Sequence, residues 1–135
     1  MHRNLAIAVL AALCLTACNE TQPAQQQTKI KVRSAEQDRL KQLDAMNLAI
    51  GLKRAVYDAG YTCKRITDAG FVAEWQNLDM WTAHCVYDNG SQRDWAIFAG
   101  PDGSAQVRDC KDVPGSGLPA CVIKVRPKGS FTELK

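Results

Sequence analysis

The sequence predicts an α+β domain in which one long N-terminal helix lies across a small antiparallel β-meander stapled by disulfides. Three observations predict it. Apolar residues recur at three- and four-residue spacings from Leu40 to Ala59, the period of a helix. From Tyr61 onward the pattern changes to short apolar runs separated by turn signals, notably Asp88-Asn89-Gly90-Ser91 and Gly100-Pro101-Asp102-Gly103. Four cysteines, Cys63, Cys85, Cys110 and Cys121, are spread through this second part. A small β-barrel with a helical stalk is the alternative architecture.

The helix is expected from Ser34 to Ala59. Ser34 with Gln37 fits a capping box, and Gly60 fits the left-handed position just past a helix end. The stripe Leu40, Leu43, Ala45, Met46, Leu48, Ala49, Leu52, Val56 and Ala59 widens toward the C-terminal half, so that half is expected to be the more deeply buried. The polar first turns are expected to project or fray. Gly51 sits mid-helix, where it costs about 1 kcal/mol against Ala.

Strands are expected at Tyr61 to Ile66, Phe71 to Gln76, Met80 to Tyr87, Gln92 to Ala99, Ser104 to Cys110 and, at the edge, Val122 to Arg126. Asn89-Gly90 suits a two-residue type I′ turn. That turn sets Asp88 opposite Ser91, Trp81 opposite Phe98 and Ala83 opposite Ala96, on the face toward the helix. His84 then faces Trp95 on the opposite face, with Thr82 and Ile97. There Trp95 lies between His84 and Arg108, and these three residues form a candidate interaction surface, since an exposed Trp beside a cation makes a binding hot spot. A packed cross-strand pair is the plainer reading of the same residues.

Four cysteines allow three pairings. Cys63 with Cys85, and Cys110 with Cys121, is the favoured one. The second bridge would close the segment Lys111 to Ala120, which is poor in apolar residues. Cys-x-x-Cys is absent and the spacings are long, so neither a redox pair nor a metal site is expected.

A chain of 135 residues suits one domain, and 46% hydrophobic with 23% charged residues suits a globular one. A net charge of +3, with its charges interspersed, is no nucleic-acid footprint.

The first residues read as an address. His2 and Arg3 precede an apolar run from Leu5 to Leu13, followed by small Thr16 and Ala17. This is the pattern of a secretory signal, and the run is too short for a membrane span. Leu15-Thr16-Ala17-Cys18 resembles the lipobox of bacterial lipoproteins. The resemblance implies cleavage before Cys18, leaving residues 1–17 as a removed signal, and diacylglycerol and a further acyl chain such as palmitate on Cys18. Two or three chains hold a protein on a membrane where one holds it only marginally. Asn19, in place of the Asp that retains such proteins at the inner membrane, implies the outer membrane, facing the periplasm. Residues 18–33 then form a tether rich in Gln, too poor in apolar groups to pack. Lys29, Lys31 and Arg33 could touch anionic headgroups or stay solvated. Residues 34–135 form the single domain, and its tail from Lys124 carries Lys124, Arg126, Lys128 and Lys135 as a solvated end.

No catalytic motif is present: no Gly-x-Ser-x-Gly elbow, no phosphate loop and no dinucleotide-binding glycines. His84 is the one histidine beyond the signal. Asp102 sits in a turn and is expected to cap it. The reading is a non-enzymatic envelope lipoprotein with no cofactor or metal, bound to the membrane through Cys18 and to an envelope protein through its domain. Two alternatives stand beside it. One is a periplasmic inhibitor or ligand-binding lipoprotein: Tyr61-Thr62-Cys63 resembles the Tyr-x-Cys opening of some lipoprotein lysozyme inhibitors, although the long helix departs from those small barrels. The other is a wall- or lipid-acting enzyme, which needs His84 gathered with a carboxylate such as Glu74 or Asp94.

Overall fold

The structure, a computed structural model, describes residues 32–131. The signal, Cys18 and most of the tether lie outside the described residues, as does the end of the tail. The described chain runs α1 (Ala35–Gln42), α2 (Ala45–Asp58), β1 (Arg65–Trp75), β2 (Leu78–Val86), β3 (Gln92–Ala99), β4 (Ala105–Asp109) and a 3-10 turn (Cys110–Asp112). The four strands form one antiparallel sheet in the order β1-β2-β3-β4. The α+β meander is therefore present. The single long helix is not.

Two helices stand where one was expected. Leu43 is extended (φ −67°, ψ 145°) and ends α1, while the Asp44 carboxylate accepts the Asn47 N–H at 2.8 Å and starts α2. An Asp N-cap competes with helix continuation because its oxygen satisfies an amide that a continuing helix would bond internally. The Ala45 N–H is taken by the Lys128 carbonyl at 2.8 Å, which ties the break to the C-terminal segment. The capping box of Ser34 and Gln37 forms at the start of α1. At the far end, Gly60 N–H bonds Tyr57 O and Tyr61 N–H bonds Val56 O, a Schellman motif with Gly60 at φ +84°.

The helices dock by different means. Ala45, Leu48, Ala49, Leu52 and Val56 of α2 pack on Ile66, Ala69, Trp81, Ala83, Trp95 and Ile97 of the sheet. Met46, expected in that stripe, is 46% exposed. The α1 helix is held by polar groups. Buried Gln37 donates from Nε2 to the carbonyls of Asn77 (3.0 Å) and Ala99 (3.1 Å). Arg33 reaches Asp38, Glu74 and both oxygens of Asp79, and Lys41 reaches the same Glu74 and Asp79. The hydrogen bonds that the Arg33 guanidinium donates to Asp38 first, and to Asp79 second, raise its pKa above the ordinary value. The polar first turns, expected to project, are docked instead, and Arg33 belongs to this cluster.

Where strands were expected at 61–66 and 71–76 there is one long β1, which takes in Arg65 and Ile66 of the first and Phe71 to Trp75 of the second, with irregular register at Ile66/Asp68 and Phe71/Ala73. Tyr61 to Lys64 lie before it. The expected C-terminal edge strand is a single bridge, Phe71 with Val125. Gly70 permits this approach, because a Cβ there would meet Ile123 Cγ2 at 2.4 Å and the Val125 carbonyl oxygen at 2.5 Å.

The β2–β3 register differs by one residue from the expected one. Trp81 pairs with Ile97, Ala83 with Trp95 and His84 with Asp94. The cause is the turn. Tyr87 N–H bonds Ser91 O, and Gly90 N–H bonds Tyr87 O, enclosing a three-residue loop in which Gly90 alone has positive φ (+78°). This is a type I turn closed by a left-handed glycine, not the two-residue type I′ turn. A slip of one residue moves every β3 side chain to the other face. Ile97 and Trp95 thus face the helices, and Phe98 and Ala96 face away. The second face is covered by the segment after β4: Val72, Met80, Ala96 and Phe98 cluster with Val113, Leu118 and the Cys110–Cys121 bridge. The other bridge, Cys63–Cys85, joins the segment before β1 to β2. Each contributes about 3 kcal/mol by restricting the unfolded chain.

Candidate interaction surface

The β3–β4 turn repeats the chemistry of the β2–β3 turn. Asn89 Oδ1 accepts from the N–H and hydroxyl of Ser91; Asp102 Oδ1 accepts from the N–H and hydroxyl of Ser104. Those bonds, the Ser104 hydroxyl first, hold the Asp102 carboxyl below its ordinary pKa. Gly103, like Gly90, is left-handed (φ +80°). Asp102 is thus a turn cap, as its sequence context implies.

This turn decides which backbone groups of β4 remain open. Gly100 N–H bonds Ser104 O at 2.8 Å. Antiparallel pairs alternate between hydrogen-bonded and non-bonded, so Phe98–Gln106 and Ala96–Arg108 are bonded pairs, and Ala99–Ala105, Ile97–Val107 and Trp95–Asp109 are not. The N–H and C=O groups of Ala105, Val107 and Asp109 therefore point out of the sheet. Among the described residues, no other element pairs with this edge. The opposite edge differs: Phe71 exchanges backbone bonds with Val125.

Two concavities lie along the open edge, on the side of the helices. One, of about 560 Å³, runs between α1, α2 and the start of β4, with Leu40, Leu52, Ala55, Ile97 and Ala99 in its wall. The other, of about 490 Å³, is lined by Tyr61, Arg93, Trp95, Arg108, Asp109 and Asp112, with Gln106 and Val107 of the edge itself. The Schellman end of α2 sets Tyr61 over Trp95, with ring centroids 4.6 Å apart. The Arg93 guanidinium lies 5.3 Å from the Trp95 ring centre, and its Nε is 3.5 Å from Asp109. Tyr61 is 43% exposed, whereas Trp95 is 1% exposed.

The three residues expected to form one exposed surface are separated. Trp95 is buried on the helix side, beneath Tyr61 and Arg93. His84 is on the other face, its Nδ1 2.5 Å from Asp94. Arg108 pairs with Ala96 and so stands on the face away from the helices, at the edge strand, with no ion pair or side-chain hydrogen bond to the described residues. Sequence reasoning missed Tyr61 and Arg93. The signals were present: Gly60 as the helix stop makes Tyr61 the anchoring residue after it, and Arg93 is two residues from Trp95 and so on its face.

His84 has Asp94 as its one described hydrogen-bond partner. Glu74, the other carboxylate considered beside it, is on the helix side with Arg33 and Lys41. Among the described residues, no group of three or more His, Cys, Asp or Glu side chains is placed to hold a metal ion. No helix of the described residues is long and apolar enough to cross a membrane. In comparisons with known proteins, no family model, no curated protein and no solved structure matches the chain.

Proposed function

We propose that the chain is an exported bacterial lipoprotein, anchored by lipid on Cys18 at the periplasmic face of the outer membrane, whose domain binds a protein partner without catalysis. The observation that carries this reading is the distribution of the cysteines. The two bridges use Cys63, Cys85, Cys110 and Cys121. Of the six cysteines, Cys14 in the apolar run and Cys18 at the lipobox-like position are left. Structural disulfides belong to an oxidising compartment, and the leftover Cys18 sits where a lipoprotein needs its thiol. The membrane and an envelope protein are thus the partners. Neither nucleic acid nor a cofactor enters this reading.

Labelled palmitate supplied to cells expressing the full chain tests the anchor. Label is expected in the wild-type protein, in outer-membrane fractions on a density gradient, and absent from Cys18→Ser. Unlabelled wild-type protein would sink the reading.

A catalytic reading has one observation in its favour, the His84–Asp94 pair. A carboxylate that orients a histidine is half of a general-base device. It still needs a nucleophile or bound water and a substrate cleft, and the concavities along β4 do not include His84. Peptidoglycan and phospholipid hydrolysis assays, with His84→Ala as the control, decide it: turnover abolished in the variant would establish the enzyme.

A further inference from the structure

We propose that the outward face of α2, with the C-terminal segment beside it, docks the domain on an anionic phospholipid surface. This rests on the lipid-anchor reading above and adds a second, reversible contact to it. The helix argues first. A helix packed on one side normally turns polar residues outward, and α1 does so with Glu36, Asp38, Arg39 and Gln42. The α2 helix does not. Met46, Ile50 and Tyr57 form one line along it, turned away from buried Leu48 and Leu52, and are 46%, 57% and 49% exposed. Single exposed apolar residues are ordinary. A line of them bordered by cations is the pattern of a helix that lies in a membrane interface.

Charge argues for the lipid. At the C-terminal end of the line, Lys53 Nζ lies 6.0 Å from the Tyr57 ring centre and donates to the Lys64 carbonyl at 2.7 Å. At the N-terminal end, the Lys128 carbonyl accepts the Ala45 N–H. There Val125, 59% exposed, lines a notch of about 200 Å³ with Leu43 and Leu48. The carboxylates bordering this face are already engaged: Asp58 by Arg54, Asp68 by Arg126, Asp88 by Lys64, and Asp44 as the cap of the helix. Lys53, Arg65, Lys124 and Lys128 have no carboxylate partner among the described residues, so the balance of the face is positive. Cations so placed attach to anionic headgroups. The anchor supplies the proximity. Cys18 stands fourteen residues before Val32, a distance of at most about 50 Å at full extension. A contact too weak to hold a free protein is populated when a tether keeps its surface in reach. A fluid bilayer also accommodates a convex helix ridge, which a protein partner must match with a groove.

The test uses the full lipidated chain reconstituted in vesicles, with Tyr57→Trp as a depth probe and brominated acyl chains as the quencher. In vesicles of phosphatidylethanolamine and phosphatidylglycerol, this variant is expected to be quenched beyond the wild-type background from Trp75, Trp81 and Trp95. Gln106→Trp, on the strand at the other end of the sheet order from β1, is expected to stay at background. Replacing phosphatidylglycerol by phosphatidylcholine, or raising the salt, is expected to release the helix. In the Tyr57→Trp chain, Lys53→Glu and Lys128→Glu are each expected to lower the docked-to-free ratio about fivefold or more. Ile50→Gln is expected to lower it about fivefold by removing apolar contact. Lys53→Arg keeps the charge and is expected to leave the quenching unchanged. The proposal is overturned by background-level quenching of Tyr57→Trp, by equal quenching of Gln106→Trp, by quenching indifferent to lipid charge and to both reversals, or by quenching lost when the protein is diluted in the membrane, which would mean pairing with a second copy. The Cys18 labelling result is read separately. Unlabelled protein removes the anchor, whereas labelled, vesicle-bound protein with Tyr57→Trp unquenched removes the docking and leaves the anchor standing.

Discussion

The two helices meet the same sheet by opposite chemistry. The α2 helix buries Ala45, Leu48, Ala49, Leu52 and Val56, and its attachment is hydrophobic. The α1 helix has Gln37 as its one buried residue and is attached by Gln37 to two carbonyls and by Arg33 and Lys41 to Glu74 and Asp79. Apolar burial is additive and tolerant of angle. Hydrogen bonds and ion pairs require direction, and an abandoned buried carboxylate such as Asp79 is costly. The break at Leu43–Asp44 follows from this difference: one straight rod cannot serve both a packing stripe and a set of directed bonds at the end of the sheet.

Leu52→Ala tests the apolar half and is expected to have the largest effect, a loss of about 2–5 kcal/mol from transfer and cavity costs. Denaturant unfolding of the whole domain reads it, and a loss below about 1 kcal/mol would mean α2 is not the core helix. Gln37→Ala tests the polar half. It leaves the carbonyls of Asn77 and Ala99 without this donor and is expected to cost about 1–3 kcal/mol. Hydrogen exchange should show the loss concentrated in α1, with the α2 amides little changed; uniform loosening would contradict the division drawn here. Asp44→Ala tests the break. Removing the cap should cost about 1 kcal/mol, and helix content by circular dichroism should not rise; a rise would mean the cap alone prevents one continuous helix. Gly51→Ala is expected to give the smallest effect and the opposite sign. Its Cβ would meet Leu40 Cδ1 at 3.9 Å, an ordinary contact between the helices, so relief of the glycine penalty should stabilise the protein by about 0.4–1 kcal/mol.

Legibility followed the range of the signal. The Ser34–Gln37 box, the Gly60 stop and the Asp102 turn cap depend on residues within three positions of each other, and each appears in the structure. The Asp44 cap was legible in the same way, but the apolar period running through it outweighed it. The type of the Asn89-Gly90 turn was not legible, because that dipeptide suits both a two-residue loop and a three-residue loop with Gly90 left-handed. One residue of difference there reverses which of Trp95 and Phe98 faces the helices. With that reversal, the expected surface of Trp95, His84 and Arg108 dissolves into Trp95 under Tyr61, a His84–Asp94 pair on the other side, and Arg108 at the edge.

By itself, the sequence determined the α+β class, the meander and the ends of the helical region, since these depend on period, composition and short motifs. The tertiary structure alone decided the two-helix break, the strand register, the covering of the second face by the Cys110–Cys121 segment and the open edge of β4. Those depend on which distant groups meet. Asn77, Ala99, Lys128 and Val125 are backbone partners that no local pattern names, and the choice among registers is made by what the whole sheet can bury.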